Sequence, residues 1–153
     1  MKEQLTEAWR TSNRMMLLFI DNVSDEAMQS TLSTKGRNVF QQFIHVHNVR
    51  LTWLDVTAKE IAEKYKPLGK EIKLDRKVLR NAFEQSGKAI EELIDKSWDN
   101  GGKLKGFKKG LIPMIGYFIA HDAHHRGHAL LTIKQSGIKI PDELKWKLWE
   151  WEK

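Results

Sequence analysis

The chain has 153 residues, 41% of them hydrophobic and 30% charged, a length and makeup that suit one compact domain over residues 1–153. It contains no cysteine, which excludes a thiol nucleophile, an Fe–S cluster and a disulfide framework and leaves the cytoplasm as the expected compartment. Its 26 basic and 20 acidic residues give a net charge of +6, so a polyanionic partner has to be weighed.

Leu5, Ala8, Trp9, Ser12, Met15, Met16, Phe19 and Ile20 recur every three or four residues, which predicts a first helix over Leu5–Val23. Ser24–Asp25–Glu26 reads as a cap-like turn, and Ser30–Arg37, rich in Ser, Thr and Gly, reads as a connector. Asn38 is the expected N-cap of a second helix, apolar nearly all round, that runs from Val39 to about Lys64 and ends near Pro67 and Gly69. Asp75 is placed to cap a third helix over Arg76–Trp98, with Val78, Leu79, Ala82, Phe83, Ser86, Ala89, Ile90, Leu93 and Ile94 on its buried side. Asp99–Asn100–Gly101–Gly102 stops that helix. Pro113 suits the first turn of a fourth helix that reaches Gln135 and closes on Ser136–Gly137. Pro141–Asp142–Glu143 opens a short terminal helix carrying Trp146, Trp149 and Trp151. No alternating pattern of useful length argues for a strand. The fold expected is all-α, a four-helix bundle with a short extra C-terminal helix.

The charge is placed in loops. Lysines cluster in Lys64–Lys73 and in Lys103–Lys109, no basic stripe follows one helix, and no base-reading motif or aromatic interleaving accompanies either cluster. Nucleic acid is therefore not the expected partner. The N-terminus lacks the grammar of a secretory signal. The apolar runs Met15–Ile20 and Leu111–Ala120 fall short of the roughly 20 residues that cross a bilayer, so no membrane span is expected.

All six histidines fall in two windows: His45 and His47 in the second helix, and His121, His124, His125 and His128 in the fourth. On a helix, His121, His125 and His128 share one face with Met114, Phe118 and Thr132, and His124 lies at its edge. Imidazoles grouped in an apolar interior are costly without partners, and a divalent ion is such a partner. The i,i+4 pair His121 and His125 can share one ion, with a third ligand from the second helix. Three neutral imidazoles suit Zn, Ni, Fe or Cu better than Ca or Mg and leave coordination positions open. His124 and His128 read more simply as ordinary core or surface residues, each still able to act as a donor behind the ligands or as a proton shuttle, and Asp122 as either a support for the ligands or a residue facing solvent or another helix. For the third ligand, periodicity slightly prefers His47, which falls amid Phe40, Phe43, Ile44, Leu51 and Leu54, over His45, which shares its face with Val49, Trp53 and Val56.

Two stretches resemble the DinB/YfiT-like metalloenzyme family. The run from Asn38 to Leu54, NVFQQFIHVHNVRLTWL, is similar to the family's second-helix pattern, a ligand histidine followed eight and nine residues later by Trp and Leu. The run His121-Asp122-Ala123-His124-His125-Arg126-Gly127 is similar to its HxxHHRG signature. The resemblance implies a four-helix bundle, commonly a homodimer, that binds one divalent metal such as Zn, Ni or Fe. Carried over, the ligands are His45, His121 and His125. Where the family has glutamine after HHRG, this chain has His128, so a hydrogen-bond role for that amide does not carry over. Better-understood relatives include S-transferases and isomerases that use bacillithiol or mycothiol.

The expected function is a metal-dependent enzyme, thiol S-transferase-like or hydrolytic, in which the ion lowers the pKa of a bound thiol or water. The Lys103–Lys109 loop is a candidate place for steering an anionic thiol. The alternative is a non-catalytic metal-binding stress-response protein whose ion stabilises the bundle; DNA binding ranks last. Six tryptophans and several apolar helix faces also lead to the expectation of a homodimer.

Overall fold

The computed structural model describes residues 1–32 and 36–153. Among them the elements are α1 (Lys2–Asn22), α2 (Asp25–Gln29), α3 (Val39–Thr57), α4 (Lys59–Ala62), α5 (Arg76–Trp98), α6 (Leu111–Gln135) and α7 (Asp142–Lys147), with no strand. The four long helices form the expected all-α bundle. α1 and α3 each pack on both α5 and α6, so the order round the bundle is α1, α5, α3, α6. Trp53 meets Tyr117 while His45 meets His125, so α3 and α6 run antiparallel. No helix is long and apolar enough to cross a membrane.

The boundaries follow local chemistry. Asn38 and Gln41 form a reciprocal capping box, satisfying two backbone N–H groups that the first turn leaves open. The Asp75 carboxylate accepts from the N–H groups of Lys77 and Val78. α6 ends in a Schellman motif, with Ile138 N–H on the Ile133 carbonyl and Gly137 N–H on that of Lys134. Gly137 takes φ 75° there, a left-handed conformation that costs glycine little.

Two expectations need correction. The helix expected over Val39–Lys64 stops at Thr57, where Ala58 leaves helical geometry at φ −155°; α4 resumes one residue later. The turn at Ser24 heads the short helix α2, capped by the Ser24 hydroxyl accepting from Ala27 N–H. Part of the Ser30–Arg37 connector, residues 33–35, lies outside the described residues.

The core has two apolar halves. Phe19, Phe43, Phe83 and Ile133 belong to one; Trp9, Leu54, Ile90 and Phe118 belong to the other. Asn13, Arg50, Ser86 and Asp122 lie between them in sequence on α1, α3, α5 and α6, and Arg50 bonds to the other three. This makes one polar layer at mid-bundle. Asn48 pins the lysine-rich 64–73 segment to α3, its amide donating to the Leu68 carbonyl and its oxygen accepting from Leu68 N–H. In α7 and the residues just after it, Leu144 and Leu148 are buried against the bundle, whereas Trp146, Trp149 and Trp151 are 72%, 80% and 47% exposed.

Candidate metal centre

α3 and α6 bring His45, His121 and His125 together. One ring nitrogen from each can be chosen so that all three lie within 4.8 Å of one another, and all three residues are half-buried. The ring centroids are 4.6 Å apart for His121 and His125, 5.0 Å for His45 and His125, and 5.5 Å for His45 and His121. The i,i+4 spacing on α6 stacks two rings on one face, and α3 supplies the third from across the groove.

His47 does not join them. Two residues along a helix is a rotation of about 200°, so His47 faces the opposite way from His45. It is 1% exposed, its ring nitrogen Nε2 lies 3.3 Å from the Lys66 carbonyl, and its ring stands 6.4 Å from that of Phe83. The periodicity preference for His47 is not matched by this geometry, which groups His45 with His121 and His125. The single stripe of His121, His125 and His128 is also corrected. His128 is exposed and pairs with exposed His124, their centroids 6.4 Å apart.

Burial holds the three rings neutral. It pushes His45 below the ordinary imidazole range, with Arg37 and His121 adding to the effect. It also lowers His121, where Asp122 opposes the shift. His125 is pushed down to about 3, by burial first and then by the neighbouring histidines. A neutral imidazole keeps a lone pair for a metal. His121 Nδ1 and His125 Nδ1 are buried and have no hydrogen-bond partner, so these rings are not held as part of a hydrogen-bonded core. Three neutral imidazoles, two of them with a buried ring nitrogen that no hydrogen bond claims among the described residues, fit a divalent transition metal.

Asp122 faces away from the three rings. Its Oδ2 accepts from Arg50 Nη2 at 2.5 Å, and both side chains are fully buried. Arg50 Nη1 donates to Asn13 Oδ1 at 2.8 Å and to Ser86 Oγ at 3.0 Å, while the guanidinium lies 4.7 Å from the ring centre of Trp9 and 4.6 Å from that of Phe83. Sequence reasoning missed Arg50. The available signal was a lone cation on a helix otherwise apolar nearly all round, which burial requires to be paired.

Aromatic side chains run along the α3–α6 groove to the centre. Phe107 and Trp53 are 5.6 Å apart, Trp53 and Tyr117 5.8 Å, and Tyr117 stacks on His121 at 5.9 Å. The lysine-rich loop before α6 borders an open cavity of about 760 Å³ lined by Trp98, Lys103, Leu104, Lys108 and Lys109. Ten residues of helix, about 15 Å, separate the start of α6 at Leu111 from His121, so this cavity does not line the three-histidine group.

A three-histidine group that could hold a metal ion thus sits between two helices of a four-helix bundle. The DinB family profile matches residues 1–151, and the chain belongs to the DinB family. Comparison with curated proteins and with solved structures gives no match.

Proposed function

We propose that this DinB-family chain binds one divalent transition ion, Zn, Ni or Fe, through His45, His121 and His125, and works as a cytoplasmic metal-dependent enzyme on a small molecule. The observation that carries the reading is the convergence of three ring nitrogens within 4.8 Å from residues that are half-buried rather than sealed in the core. Three protein ligands leave positions for water or substrate, whereas a structural site closes its shell with four. A bound ion of this kind acidifies a coordinated water or thiol. Around it, His45, His121 and His125 would hold the ion, and Trp53 and Tyr117 would shape the approach. The chain's excess of lysine favours anionic small molecules, which suits thiol transfer as well as hydrolysis.

A second reading, a non-catalytic metal-binding stress-response protein, has one observation in its favour. The ligands come from both α3 and α6, so an ion would cross-link the bundle and stabilise it.

Metal content and cobalt spectra test both. Wild-type protein should retain one ion per chain, and His121→Ala or His125→Ala should lose it while remaining helical. In a cobalt-substituted sample a low-molecular-weight thiol should give a sulfur-to-metal charge-transfer band. Retention of the tighter-bound ion by both variants overturns the site. Spectra unmoved by thiol and azide leave the structural-ion reading ahead.

A further inference from the structure

His124 and His128 lie outside the three-histidine group and have no role in it. They are four residues apart on the same 25-residue helix, both are exposed, and their rings stand 6.4 Å apart at 30° to one another. Neither imidazole ring has a hydrogen bond or ion pair among the described residues, although the His128 carbonyl accepts from the Thr132 hydroxyl. Their surroundings are small: a Cβ added at Gly127 would meet nothing within 4 Å. The nearest charges on the helix are turned elsewhere, since Asp122 is committed to Arg50 and Arg126 donates to Met16 Sδ on α1 at 3.7 Å.

We propose that His124 and His128 form a second, solvent-facing metal site on α6 that takes a divalent copper, nickel or zinc ion through two imidazoles. An i,i+4 pair on a helix surface presents two ring nitrogens to one side, and exposed side chains are free to rotate about χ1 and χ2 until both reach the ion at about 2.0–2.1 Å. The inner pair His121 and His125, with the same spacing on the same helix, already stands at 4.6 Å. Water completes the outer shell, because Asp122, the one carboxylate on α6, is bonded to Arg50. Copper(II) binds best, as expected for nitrogen donors. His124 stands edge-on to His125 at 5.0 Å, which places the outer ion one ring away from the inner group.

The test is a titration of untagged, metal-free protein with Cu2+ by calorimetry or equilibrium dialysis. Wild-type protein should take up two ions per chain, the second roughly tenfold or more weaker because it has two imidazole ligands rather than three. The double variant His124→Ala/His128→Ala should lose the weaker ion alone, and since both side chains are exposed it should fold as wild type does. The triple variant His45→Ala/His121→Ala/His125→Ala should keep the weaker ion alone. Undiminished uptake by the double variant, or no uptake by the triple variant, overturns the outer site. A wild type that takes a single ion, lost in the double variant, upholds the outer site and refutes the inner one.

Discussion

Arg50 and Asp122 form an ion pair 2.5 Å long in which neither side chain is exposed, and it ties α3 directly to α6. Asp122 follows ligand candidate His121, and Arg50 lies five residues after His45. The pair therefore sets the rotation of both helices at the level where the three histidines meet. Its cost is offset only in part, since Arg50 Nε and Asp122 Oδ1 are buried with no hydrogen-bond partner among the described residues. Arg50 is bonded to Asn13 and Ser86 as well and is flanked by Trp9 and Phe83.

Removing one partner should be far worse than the pair's net value implies, because it leaves a buried charge uncompensated. Asp122→Ala should destabilise the metal-free fold by about 3–5 kcal/mol, read from urea denaturation. Asp122→Asn, which retains an oxygen acceptor for Arg50, should cost less. Equal stability of Asp122→Ala and wild type would show that the pair contributes nothing.

The two histidines of α3 should separate cleanly. His45→Ala should abolish stoichiometric metal binding with little change in fold, because its ring stands at the half-buried edge of the bundle. His47→Ala should retain the ion while losing stability, because its ring is 1% exposed and its removal opens a cavity. Metal analysis and denaturation on the same two samples decide it, and the reverse pattern moves the ligand to His47.

Burial pushes His47 down to about 4, with the Arg50 charge adding to the shift and the Lys66 carbonyl opposing it. The unfolded chain, with histidine near about 6.5, binds the extra proton between these values. The stability contributed by a neutral His47 is thus complete above that range and is lost as pH falls from about 6.5 toward 4, by at most ~3 kcal/mol. In metal-free protein, His47→Gln should flatten the pH dependence of unfolding free energy in this window by about one proton. An unchanged slope would show that His47 is not protonated on unfolding.

Gly87 is required by packing. A Cβ there would lie 2.3 Å from Asn13 Nδ2, and Asn13 Oδ1 is a partner of Arg50. Gly87→Ala should cost about 1–3 kcal/mol as an overpacked site, even though alanine is the better helix former. A variant more stable than wild type would show that Asn13 yields without loss.

Three exposed tryptophans next to buried Leu144 and Leu148 are unusual for a chain of this size. Sedimentation at micromolar concentration should report twice the 17.9 kDa chain mass. A single 17.9 kDa species rejects the homodimer.

Local chemistry written in the sequence determined most of the fold. The spacing of Trp9, Met16 and Ile20 and of Leu79, Phe83 and Ile90, the caps at Asn38 and Asp75, and the Gly137 stop act over a turn or two and need no tertiary context. The i,i+4 relation of His121 and His125 is likewise a property of any helix. The tertiary structure decided which residue of α3 faces them. Apolar residues surround α3 on nearly every side, so its periodicity points weakly in several directions, whereas the buried bond from Arg50 to Asp122 admits one rotation. Packing also decided the short helices α2 and α4, which are too brief to show a period, and the exposure of His124, His128 and the α7 tryptophans, because a residue's own sequence does not say whether another helix covers it.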